Sequence, residues 1–200
     1  MCGAFVEPIS SLKYYRYRVR FELKKNLFCA LMSSPIREMF HTQEKWPNKL
    51  TSPVQTVNQD AWLGDGYYFW YYEEDAVWWG RTAKKRKGYY EVYKAAIDCE
   101  NVLDTVFNEQ HYLLWIKYVE KAIERFLKKQ KGTLTIKYIN DFFREKGVFN
   151  DIDGVLFQDI SDNPNYWIID KFQYKKRIQL AVYNLKIMSN FAFHFEAECA

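Results

Sequence analysis

The order of strand-like and helical segments predicts an α+β fold, a mostly antiparallel sheet with helices packed on it. Strand-like segments lie at both ends and in the middle of the chain, and the strongest helical periodicity falls between them. Aromatic residues make up 19% of the 200 residues, which favours a thick core or an aromatic-lined cleft. No low-complexity tract, internal repeat or Pro/Gly-rich linker interrupts the chain. At about 150 residues per domain, residues 1–200 are expected to form one domain, with 1–37 as an N-terminal elaboration.

Each element has a local reason. Tyr15–Glu22 alternates aromatic or aliphatic residues with Arg16, Arg18 and Arg20, the pattern of a half-buried strand with a basic outer face. Leu23–Met32 fits a short helix and Ile36–His41 a strand. Pro47–Asp60 is rich in Asn, Thr, Ser, Gln and Pro and is expected to be loop, with room for one helical turn. Leu63-Gly64-Asp65-Gly66 predicts a turn into the β-favouring run Tyr67–Trp70. Glu73–Arg81 predicts a helix whose acidic start suits its positive end. Lys84–Lys87 is a basic cluster closed by Gly88, and Tyr89–Ile97 predicts a strand. Tyr112–Lys129 repeats Leu113, Ile116, Val119, Ile123 and Phe126 at spacings of three and four, so these are expected on the buried stripe of a helix. Thr135–Glu145 predicts another helix. Gly154–Phe157, Tyr166–Ile169, Ile178–Tyr183 and Ile187–Phe195 predict strands.

Composition excludes several function classes. The net charge of +4 permits an anionic ligand but falls short of a dedicated nucleic-acid binder. No apolar run approaches the ~18 residues of a membrane span. The start, MCGAFVEPIS, lacks the basic and apolar regions of a secretory signal. Cys2, Cys29, Cys99 and Cys199 show no CxxC spacing, which argues against a zinc site and fits a reducing compartment, so a cytoplasmic location is expected. A Walker lysine loop, HExxH and GxSxG are all missing.

Three short segments suggest a site: Phe40-His41-Thr42 at a strand end, LGDGYYF (Leu63–Phe69) followed by Ala76-Val77-Trp78-Trp79, and IQLAVYN (Ile178–Asn184). In this order and at these separations they resemble the His-Tyr-Glu branch of the ADP-ribosyltransferase superfamily, the diphtheria toxin and poly(ADP-ribose) polymerase type. KKRIQLAVYNLKIM is also similar to small bacterial members. The resemblance runs from about Glu38 to Phe195 and implies a split antiparallel sheet with an NAD cleft between its halves.

The same resemblance implies roles. His41 would hydrogen-bond a ribose, and the backbone at Thr42 would hold the nicotinamide carboxamide. Tyr68 would stack on the nicotinamide ring, with Trp78 (or Trp79) closing the other side. Gly64 and Gly66 would let the backbone approach the dinucleotide without a Cβ in the way. Phe69 is counted with the cofactor-binding positions. Gln179 stands where the family has its catalytic Glu and would bind the 2′-hydroxyl of the nicotinamide ribose. Breaking the nicotinamide bond builds positive charge on the ribose, which aromatic faces and a nearby carboxylate stabilise. Two departures stand out: Thr42 replaces the usual Gly, and Gln179 is neutral, so that Asp159 or Glu196 is a candidate substitute carboxylate.

The implied reaction is mono-ADP-ribosyl transfer from NAD to a macromolecular acceptor, with no metal. An alternative is an impaired module of the same fold that binds a nucleotide or a partner protein. A second alternative is a nucleic-acid-binding domain using the Arg16/Arg18/Arg20 face, with Lys84, Lys85, Arg86 and Lys87 on phosphates. Blander explanations stay open: Tyr67–Trp70 as a buried strand, Gln179 on a solvent face, and Lys84–Lys87 as a solvated loop.

Overall fold

A computed structural model describes residues 35–57, 61–127, 134–161, 163–169 and 172–200. The expected strand Tyr15–Glu22 and helix Leu23–Met32 lie outside the described residues.

The architecture is α+β. Strands β1 (Ile36–Glu44), β2 (Tyr67–Trp70), β3 (Tyr89–Asp98), β4 (Val102–Asp104), β5 (Gly154–Asp159), β6 (Arg177–Val182) and β7 (Met188–Glu198) form one sheet in the order β4-β5-β6-β2-β1-β3-β7. Every pairing is antiparallel except β4 with β5. The sheet has a seam: β1 meets β2 through the single register pair Phe40↔Trp70, whereas β1 pairs with β3 along its whole length.

Helix α1 (Glu73–Ala83) opens with Glu73, Glu74 and Asp75 in its first turn, where negative charge suits the positive end of the helix. It packs Ala76 against Phe40, Trp70, Tyr90 and Val92. Helices α2 (Glu109–Leu127) and α3 (Ile136–Glu145) cover Leu103 and Val155, and the Thr135 hydroxyl caps α3 by accepting from the Tyr138 amide. The opposite face of the sheet buries Met39, Phe69, Ala95, Ile97, Leu156, Ile178, Leu180 and Val182 in one apolar core.

Three expectations need correction. Leu113 is not on the buried stripe of α2; it is 57% exposed, while Trp115 and Ala122 are buried. At about 100° per residue, Leu113 and Trp115 face opposite ways, and the larger indole takes the core side. Tyr166–Ile169 is not a strand. Asn163 caps a short 3₁₀ turn over Pro164–Tyr166, and only an isolated bridge, Ile169↔Phe172, follows. The described part of Pro47–Asp60 contains no helical turn, and Thr56 instead bridges Gly66. No helix among the described residues is long and apolar enough to cross a membrane.

Candidate functional site

All six residues of β6 are buried. Alternation along a strand sends Ile178, Leu180 and Val182 into the apolar core, and Arg177, Gln179 and Ala181 to the helix-bearing face. In register, Gln179 lies between Phe157 on β5 and Trp70 on β2. Its amide therefore sits in a row of rings. Tyr68 is opposite Ala181, which makes it the diagonal neighbour of Gln179 on the same face, about 7–8 Å away in a standard sheet.

The loop before β2 reaches over this row. The Trp62 indole N–H donates to Gln179 Oε1 at 2.6 Å. The Tyr68 hydroxyl donates to the Gly64 carbonyl and accepts from the Leu63 amide, both at 2.8 Å. Burial holds its ionisation far above the ordinary tyrosine range. Tyr68 is thus the internal peg of its own turn. The two glycines are explained by packing rather than by an approaching ligand. Gly64 has φ +104° and a Cβ there would come within 2.9 Å of Asp141 Oδ1; at Gly66 a Cβ would meet the Val182 carbonyl at 2.9 Å.

His41 and Phe69 do not join Tyr68 and Gln179. Phe40 shares a row with Trp70, so its neighbour His41 belongs to the opposite face. The imidazole lies beside Phe69 and Phe191, with centroids 5.5 and 6.1 Å away. Nε2 accepts from the Val54 amide at 3.3 Å, so Nδ1 carries the proton and donates to the Tyr68 carbonyl at 2.9 Å. Burial lowers the His41 pKa from 6.5 to about 4. One ring nitrogen braces the seam and the other holds the Val54 loop, which leaves no ribose contact for His41. Phe69, with no exposed surface, is core.

Thr42 is buried and its hydroxyl donates to the Ala76 carbonyl at 2.9 Å, tying β1 to α1. Trp79 packs on Trp70 at 5.8 Å, while Trp78 lines a groove of about 470 Å³ with Glu73, Glu74, Tyr166, Tyr174 and Lys175. Tyr68, His41 and Gln179 do not line it. Beneath it the Tyr166 hydroxyl donates to buried Asp75 at 2.9 Å, and burial pushes the Asp75 carboxyl up to about 6. Arg177 stands 5.2 Å over the Trp70 ring and pairs with Asp159.

The substitute carboxylates are thus already engaged. Asp159 holds Arg177, and Glu196, three intervening strands from β6, holds Lys45 and Lys49. Lys85, Arg86 and Lys87 form an exposed 3₁₀ turn, with Lys87 lying 5.0 Å from the Trp46 ring centroid. Among the described residues no group of three His, Cys, Asp or Glu is placed to hold a metal ion.

Sequence reasoning missed Trp62, Asp75, Tyr166 and Arg177. Arg177 had a signal, because it lies two residues before Gln179 and so shares its face. The others meet their partners only through tertiary packing. No family model matches the chain, and neither does any curated protein or solved structure.

Proposed function

We propose that this chain binds NAD over the helix-bearing face of β2 and β6, with chemistry of the mono-ADP-ribosyltransferase type and slow release of nicotinamide. One observation supports this above others: Tyr68 and Gln179, drawn from two distant segments, are diagonal neighbours on one face, flanked by Trp62, Trp70 and Phe157. Rings suit a planar, cationic nicotinamide, and an amide suits a ribose hydroxyl. His41 and Phe69 have no part in this site. The Gln179 amide nitrogen has no hydrogen-bond partner among the described residues and would serve a ribose hydroxyl. The exposed Lys85, Arg86 and Lys87 would serve a phosphate-bearing acceptor.

A second reading, an NAD-binding module without cleavage, is favoured by the neutral Gln179 itself. Calorimetry with NAD, run beside an assay for free nicotinamide, separates the two. Binding with slow release, both lost in a folded Gln179→Ala variant, supports the transferase reading. Binding without release supports the module, and absence of binding refutes both.

A further inference from the structure

The groove that Trp78 lines is open, and its chemistry is that of a cation site. Trp78, Tyr166 and Tyr174 give it rings, and Glu73 and Glu74 give it carboxylates, around a volume of about 470 Å³. An ammonium already rests there. Lys175 Nζ lies 5.5 Å from the Tyr166 ring centroid and donates to Glu74 Oε2 at 2.8 Å. A ring face on one side and a carboxylate on another is an arrangement that attracts positive charge. Behind Tyr166, Asp75 is only 1% exposed. Its Oδ1 accepts from the Tyr166 hydroxyl and its Oδ2 has no hydrogen-bond partner. Above a pKa of about 6 this carboxylate adds negative charge behind the ring.

We propose that this groove binds an arginine side chain of a partner peptide, and that Lys175 is the resident cation which the arginine displaces. A guanidinium is planar, so it stacks on an indole or phenol ring while its forked N–H groups meet one carboxylate. Glu73 suits that fork. It is exposed, and its contact with the His194 imidazole at 3.2 Å leaves lone pairs for further donors. With Lys175 swung out, Glu73 and Glu74 outweigh Arg81 among the lining residues, and the charge calls for a replacement cation. The neighbouring surface favours a peptide over a free cation. Ile168, Ile169 and Phe172 lie in the chain between Tyr166 and Tyr174 and are 71%, 52% and 57% exposed, which offers apolar contacts to the residues beside the arginine. The site makes no use of NAD.

The test titrates acetyl-Leu-Arg-Leu-amide into the full chain above pH 7, followed by NMR up to about 10 mM peptide. Its counterpart with citrulline for arginine keeps nearly the same shape and removes the charge. The arginine peptide is expected to bind at least roughly tenfold more tightly than the citrulline peptide. Glu73→Gln alters an exposed side chain and should weaken the arginine peptide by about tenfold. Lys175→Ala vacates the Tyr166 ring and should tighten it by roughly threefold to tenfold. Equal binding of the two peptides overturns the cation site. So does an arginine peptide that Glu73→Gln binds as tightly as wild type, or one that neither wild type nor Lys175→Ala binds. Unchanged affinity in Lys175→Ala overturns the displacement of Lys175. None of these outcomes depends on whether the chain binds NAD, so this proposal and the proposed function fail separately.

Discussion

His41 and Gln179 are both buried polar side chains, on β1 and β6 with β2 between them, and the fold treats them in opposite ways. Both imidazole nitrogens of His41 are matched to backbone groups, one across the seam at Tyr68 and one in the loop at Val54. Gln179 has its oxygen matched and its nitrogen spare. A buried group whose capacity is exhausted braces the fold. One with capacity left can still take a further hydrogen bond. Motif position alone marks both residues equally; the hydrogen-bond inventory separates them.

The comparison can be pressed hardest at Gln179. Gln179→Glu lets one carboxylate oxygen accept from Trp62 and places a full negative charge within the row of rings. One charge about 4 Å from the ribose, at an effective dielectric near 20, is worth up to about 4 kcal/mol, or roughly a thousandfold in rate. Nicotinamide release should rise toward that limit. No gain, with NAD still bound, would remove Gln179 from the reacting centre.

His41→Ala should act on stability instead. It strands the Tyr68 carbonyl and the Val54 amide and empties a ring-sized space, at a cost of about 3–5 kcal/mol by denaturant titration. NAD affinity of the folded fraction should not change. Lost affinity at unchanged stability would turn His41 back into a ligand group.

The smallest effect lies in pH. His41 has its pKa depressed to about 4, so the stability it contributes is present above pH 6.5 and is lost as pH falls toward 4. Asp75 has its pKa raised from 3.8 to about 6, so its contribution is present below pH 3.8 and is lost as pH rises through 6. The two slopes oppose each other over one window and flatten the wild-type curve there. Asp75→Asn removes one slope, and denaturation midpoints should then climb steadily from pH 4 to 6.5. A curve in Asp75→Asn as flat as wild type would show that His41 is not titrating as a buried group.

The elements that frame the site were legible because local signals agree with tertiary demand. The glycines before Tyr67 open β2, the acidic run opens α1, and the alternation at Ile178 marks β6. The faces were not legible. Whether His41 sides with Tyr68 depends on which residue of β1 meets β2, and one pair, Phe40↔Trp70, decides it. The partners were equally hidden: Val54 and Trp62 lie 13 residues after His41 and 117 before Gln179, in loops with no periodic pattern. Tyr166–Ile169 misled because its β-favouring side chains outweighed the Asn163-Pro164 turn signal that governs the backbone there. The stripe of α2 slipped because spacing alone does not say whether Leu113 or Trp115 faces the sheet.

The seam between β1 and β2 makes the imidazole a rung in an otherwise main-chain ladder. Below about pH 4 that rung gains a second proton, and Nε2–H then points at the Val54 N–H. Donor meets donor, and the loop that carries Val54 is pushed off the strand. Acid should therefore free the Val54 loop first, while Nδ1–H keeps its bond to the Tyr68 carbonyl and the two halves of the sheet stay joined.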